Sequence, residues 1–89
     1  MTAIEPPFAP PPAEILRRLA VSDSGFVFDP VSGNSYSLNI TALATLRLLQ
    51  QDLAVDAIVA ALQKDFAGDP AVLEADMLRF VRELGDYFK

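Results

Sequence analysis

The side chains in this 89-residue sequence with the greatest capacity for chemistry are its twelve carboxylates. Two of them placed together could act as a general acid and base. Most fall instead at helix starts or on polar helix faces, where they favour the helix macrodipole and solubility. The chain has neither histidine nor cysteine, which removes imidazole bases, thiolate nucleophiles, disulfides and the usual zinc sites together. Asp65 and Asp69 flank Gly68, but a calcium loop needs several oxygen donors at fixed spacing and this stretch lacks them. Gly25, Gly33, Gly68 and Gly85 are isolated turn markers, so no glycine-rich loop is available to cradle a phosphate. These residues point to a protein without catalytic groups, metal or cofactor, one that acts by binding.

The elements that would position a binding surface must fit into one small domain. A chain of this length buries only about 60 to 65% of its unfolded surface, which leaves room for a single core. The composition, 52% apolar and 21% charged, is that of a globular protein. The net charge is −5, with seven scattered Lys and Arg residues, so nucleic-acid phosphates would be repelled. Apolar runs are short and the N-terminus lacks the pattern of a signal peptide, so a soluble, cytoplasmic protein with no membrane partner is expected.

Residues 5–12 contain five prolines around Phe8 and Ala9, and favour an extended conformation over helix or sheet. The expected organisation is a flexible proline-rich tail over 1–14 and a folded domain over 15–89. The segment Ile15 to Val21 suits a short helix or a strand, and its later half, Leu19 to Ser22, is assigned to a strand ending at the Ser22 to Gly25 turn. Phe26-Val27-Phe28 and Ser35-Tyr36-Ser37-Leu38 then flank Asp29-Pro30-Val31-Ser32-Gly33-Asn34, which reads as a hairpin. Side-chain alternation puts Tyr36 and Leu38 on one face and Ser35 and Ser37 on the other. So small a sheet must pack on the C-terminal half of the chain.

That half reads as three helices. Asn39 or Thr41 can cap the first, which runs to about Gln51 with Ile40, Leu43, Leu46 and Leu49 as its buried stripe. The second starts near Val55, where Val55, Ile58, Val59, Leu62 and Phe66 share one face. Asp69-Pro70 is a cap followed by proline at the first helical position, which starts the third. Its core stripe is Leu73, Met77, Phe80, Val81 and Leu84, with Gly85 as a left-handed terminator. Ala71, Ala75, Leu78 and Arg82 form a second face beside that stripe, where Leu78 either covers the edge of the core or lines a groove.

The run Val21-Ser22-Asp23-Ser24-Gly25-Phe26-Val27-Phe28-Asp29-Pro30, a turn, Ser35-Tyr36-Ser37-Leu38-Asn39 and the helix entry Leu38-Asn39-x-Thr41-Ala42 together resemble the PqqD-like family. Members of that family are recognition elements that bind leader peptides of ribosomally made, enzymatically modified peptides. The likeness covers roughly residues 15–89. It implies an α+β, winged-helix-like fold, a three-stranded antiparallel β-sheet followed by a three-helix bundle. Two departures stand out: Ala54 precedes the second helix where relatives commonly offer a Ser or Thr cap, and Gly85 to Lys89 only loosely matches their usual Gly-Leu-Leu ending.

The resemblance further implies a non-catalytic peptide chaperone working with a maturation enzyme, such as a radical-SAM protein in pyrroloquinoline quinone biosynthesis or a kinase-like or ATP-grasp partner in related systems. In relatives the leader adds as a strand in the cleft between the third strand and the third helix. Carried onto this chain, that places Ser35, Tyr36, Ser37 and Leu38 on one side, and Ala71, Ala75, Leu78, Arg79 and Arg82 on the other. Leu78 and Ala75 would form an apolar floor, and Arg79 or Arg82 would meet an acidic leader residue. The rivals are a winged-helix DNA-binding protein, which would need a basic recognition helix, and a structural subunit docking on a larger enzyme with no peptide of its own. An exposed edge strand could also pair with a copy of itself and give a homodimer.

Overall fold

A computed structural model of the chain describes residues 10–88. Most of the proline-rich tail, residues 1–9, lies outside them. The described part is an α+β unit of four helices and three strands: α1 (Ala13–Leu16), β1 (Ala20–Val21), β2 (Phe26–Phe28), β3 (Ser35–Ser37), α2 (Ile40–Gln50), α3 (Val55–Asp65) and α4 (Pro70–Tyr87). The strands form one antiparallel sheet in the order β1-β2-β3. The short α1 is an addition to the expected element order, and β1 is shorter than the Leu19 to Ser22 assignment.

The expected hairpin is present, with Val27 opposite Tyr36 and Phe26 opposite Ser37. Its turn is built on Asp29. The Asp29 carboxylate accepts from the Val31 amide at 3.0 Å and the Ser32 hydroxyl at 3.0 Å, while the Gly33 amide donates to the Asp29 carbonyl at 2.7 Å. A side chain that mimics a backbone turn fixes the hairpin's register locally. Gly25 sits at the other end of the ladder at φ 91°. A Cβ there would lie 2.5 Å from the Leu38 carbonyl oxygen, so both its dihedral and its neighbour require glycine.

Asn39 caps α2, its Oδ1 accepting from the Ala42 amide at 2.9 Å. Asp69 caps α4 by accepting from the Ala71 amide at 2.9 Å, with Pro70 next. Ala54 makes no side-chain cap bond to α3. The core is formed by Leu16, Leu19, Val27, Leu46, Leu49, Ile58, Leu62, Met77, Val81 and Leu84. These come from β1's approach, the centre of the sheet and all four helices, so the helices close over one face of the sheet.

Two expectations fail. Ile40 is 69% exposed, and Thr45 is buried beside Leu46 and Leu49 instead, its hydroxyl donating to the Thr41 carbonyl at 2.8 Å. The stripe 40, 43, 46, 49 advances by three residues each time, which drifts by about 60° per step on a helix of 3.6 residues per turn, so its two ends lie roughly half a turn apart. Gly85 does not end α4, which continues to Tyr87. Glycine costs about 1 kcal/mol in a helix interior; here the contacts of Tyr87 and Phe88 hold the last turn.

Those contacts surround a buried carboxylate. Asp29 is fully buried. Arg18 grips it with Nε at 3.1 Å and a terminal nitrogen at 2.8 Å, and the Tyr87 hydroxyl donates to it at 2.5 Å. The Arg18 guanidinium also lies 4.7 Å from the centre of the Phe88 ring. Arg18 first, and Tyr87 next, hold the Asp29 carboxyl well below the usual carboxylate range, and the same bond raises the Arg18 pKa. One carboxylate thus ties the hairpin turn, the end of α1 and the end of α4 together. No helix among the described residues is long and apolar enough to cross a membrane.

Candidate binding cleft

The strand order leaves the outer sides of β1 and β3 without a sheet partner among the described residues. The direction of β3's main-chain groups follows from its ladder. Leu38 donates its amide to the Gly25 carbonyl at 2.8 Å, and Asp29 to the Asn34 carbonyl at 2.8 Å. These pairs share the register of Val27 and Tyr36. Antiparallel pairs alternate between hydrogen-bonded and non-hydrogen-bonded, so Tyr36 spends its amide and carbonyl on β2. Ser35 and Ser37 turn theirs outward. On β1 the bond from the Ser22 amide to the Phe26 carbonyl, 2.9 Å, leaves Val21 as the outward residue.

Side chains sort by the same alternation. Tyr36 lies with buried Val27 on the face turned to the helices, whereas Ser35 and Ser37 share the outer face with Phe26 and Phe28, which are 51% and 42% exposed. The outer face is thus less polar than its serines suggest.

Beside β3, between it and α4, lie two adjoining cavities. The first has a volume of about 270 Å³ and is lined by Leu19, Val27, Tyr36, Ser37, Leu38, Leu46, Phe80, Glu83, Leu84 and Tyr87. Its walls are apolar except for Ser37, the tyrosine hydroxyls and Glu83. The Tyr36 and Tyr87 rings meet edge to face at 5.2 Å between centroids. The Tyr87 hydroxyl so close by raises the Tyr36 pKa, with burial adding to the effect. The second cavity, about 180 Å³, is lined by Ser37, Leu38, Asn39, Thr41, Ala42, Thr45, Asp76, Met77, Arg79, Phe80 and Glu83. It is the more polar of the two, and shares Ser37, Leu38, Phe80 and Glu83 with the first.

Of the residues singled out from the sequence, Tyr36, Ser37, Leu38 and Arg79 line these cavities, and Ser35 sits on the strand edge beside them. Ala71, Ala75, Leu78 and Arg82 line neither cavity. Leu78 is half-buried and packs on the core. Arg79 is paired with Asp76 at 2.7 Å. The α4 face toward the sheet carries Asp76, Phe80, Glu83 and Tyr87, spaced as one helical face. It is rotated by roughly 140° from the face of Ala71, Ala75, Leu78 and Arg82. Both faces flank the core stripe, one on each side. Hydrophobic periodicity finds the stripe but is blind to which flank meets the sheet. Phe80 and Tyr87 stand on the flank turned to the sheet.

The cleft thus offers outward amide and carbonyl groups on a short edge strand, an apolar cavity and a polar one in line, and a mixed-charge helix wall. Among the described residues no group of three or more acidic side chains could hold a metal ion.

A family model for coenzyme PQQ synthesis protein D (PqqD) matches residues 25–87. Among solved structures, the chain is similar to one described as lasso peptide synthetase B1 complexed with the leader peptide, with a TM-score of 0.64, 23% identity, and coverage of 78% of this chain and 82% of that one. At that identity the likeness shows the fold. No curated protein sequence matches the chain significantly.

Proposed function

The chain belongs to the coenzyme PQQ synthesis protein D family, and from that premise we propose that it binds the leader segment of a ribosomally synthesised precursor peptide and presents it to a maturation enzyme. The leader adds to β3 as a fourth strand. The observation that carries this reading is the outward direction of the Ser35 and Ser37 main-chain groups beside the two cavities. An added strand would take up those groups, and its alternate side chains would enter the cleft. The similar fold of lasso peptide synthetase B1, described in complex with its leader peptide, supports the same use of this one.

The chain contributes no chemistry of its own on this reading. The sequence has no histidine or cysteine to serve as imidazole base or thiolate nucleophile, and the Asp29 carboxylate beside the Ser32 hydroxyl is held by Arg18, Tyr87 and the Val31 amide. Modification of the peptide then falls to a partner enzyme, of the radical-SAM, kinase-like or ATP-grasp kind. A DNA-binding role finds little support on α4, whose cleft face carries Asp76 and Glu83 with a single Arg79 already paired.

Titration of the protein with fluorescently labelled leader segments of candidate precursor peptides tests the proposal, using Ser37→Pro as the diagnostic variant. Proline removes the outward amide at an edge position where the fold does not need it. Saturable binding to the wild type that weakens at least about tenfold in Ser37→Pro is the expected result, a loss in the range of one to two backbone hydrogen bonds. Equal affinity of the two proteins for the same leader would show that the peptide does not use β3.

A further inference from the structure

Glu83 lies where the two cavities join and lines both of them. The first cavity has no other charged residue in its walls. In the second, the only other charges are Asp76 and Arg79, which neutralise each other across 2.7 Å. Glu83 itself makes no hydrogen bond or ion pair among the described residues. The net charge of the cleft is therefore that of one uncompensated carboxylate on an exposed side chain, in a protein whose net charge is −5. This reverses the polarity expected from arginines on α4.

Resting on the peptide-binding reading above, we propose that Glu83 selects a cation in the bound peptide: a Lys or Arg two positions from a large apolar residue. The spacing follows from strand geometry. Side chains two residues apart on a strand point the same way and stand about 6.8 Å from each other. An added strand beside β3 that places an apolar side chain in the first cavity brings the neighbouring side chain on that face to the mouth of the second. There Glu83 is the one carboxylate not already paired with a cation. The overall negative charge of the chain adds long-range attraction for a basic peptide and speeds its encounter.

The test is parallel selection from a displayed library of random short linear peptides against the wild-type protein and Glu83→Lys. Exposure of Glu83 keeps the variant folded, which its thermal melt verifies. The wild type enriches peptides with an apolar residue and a Lys or Arg two positions apart, and Glu83→Lys replaces that cation by Asp or Glu. Exchanging the cation of a selected peptide for Gln weakens wild-type binding by about five- to tenfold, between a screened surface pair and a full charge-assisted hydrogen bond. It leaves binding to Glu83→Gln unchanged. Selected peptides that carry the apolar residue but show the same charge preference for both proteins overturn the role of Glu83 and leave the peptide-binding reading in place. Failure of the wild type to enrich any peptide overturns the peptide-binding reading and this proposal with it.

Discussion

Removing a single oxygen by Tyr87→Phe tests how the end of α4 is held against the hairpin. The Tyr87 hydroxyl donates to buried Asp29 at 2.5 Å and lies 2.8 Å from the Ser32 hydroxyl. Its ring packs edge to face on Tyr36 and Phe88, with centroids 5.2 and 4.8 Å away. Phenylalanine keeps both ring contacts and deletes only the hydrogen bonds. A hydrogen bond to a charged group contributes about 1.5 to 3 kcal/mol. Asp29 retains Arg18, Ser32 and the Val31 amide, so the loss falls near the middle of that range, about 2 kcal/mol. For a domain of this size that lowers the melting temperature by about 8 to 16 °C. Urea unfolding at neutral pH measures it directly, as a lower midpoint with an unchanged slope. Tyr87→Ala, which also loses two aromatic contacts of about 0.5 to 1.5 kcal/mol each, falls further. A Tyr87→Phe midpoint equal to the wild type would refute the reasoning, since it would mean that the hydroxyl adds nothing to the grip on Asp29.

The low pKa of Asp29 makes stability depend on pH with a defined sign: its contribution is fully present above the unfolded-state value of about 3.9 and is lost as pH falls through the lower folded-state value. Urea midpoints taken across the acid range therefore decline below about pH 4 in the wild type, and decline less steeply in Asp29→Asn. Gly25→Ala forces a left-handed dihedral on a residue whose Cβ has no space beside Leu38; a loss of at least about 1 to 3 kcal/mol is expected in the same assay. Leu46→Ala, in the core, costs about 2 to 5 kcal/mol, whereas Ile40→Ala, at a site 69% exposed, changes stability by no more than about 0.5 kcal/mol.

Local chemistry made much of this fold legible in advance. Asp69-Pro70 carries its own start signal, and the Val55 to Phe66 face has the 3.6-residue period of a helix packed on one side; both elements stand where that chemistry puts them. The hairpin was legible because its turn is closed by Asp29, Gly33 and their immediate neighbours. The illegible features depend on partners distant in sequence. Gly85 is a sound helix terminator by its own preferences, and contacts of Tyr87 and Phe88 with residues distant in sequence, such as Tyr87 with Asp29 58 residues away, carry α4 past it. Ile40 fits a three-residue repeat that the helix itself does not follow. The cleft divides in the same way. Its strand, Ser35 to Leu38, is local and legible, but its helix wall turns on which flank of the α4 stripe meets the sheet. That choice is made by Tyr87 and Phe88 docking on Arg18, Asp29 and Tyr36, and no periodicity within α4 encodes it.

The central claim, that a peptide pairs with the outer edge of β3, is tested most directly by amide hydrogen exchange of the protein with and without a saturating bound peptide. Pairing at β3 slows exchange at Ser35 and Ser37, whose amides face outward, and leaves Val21 on the opposite edge unchanged. Protection at Val21 with none at Ser35 and Ser37 would place the peptide on β1, and protection at neither edge would contradict strand addition altogether.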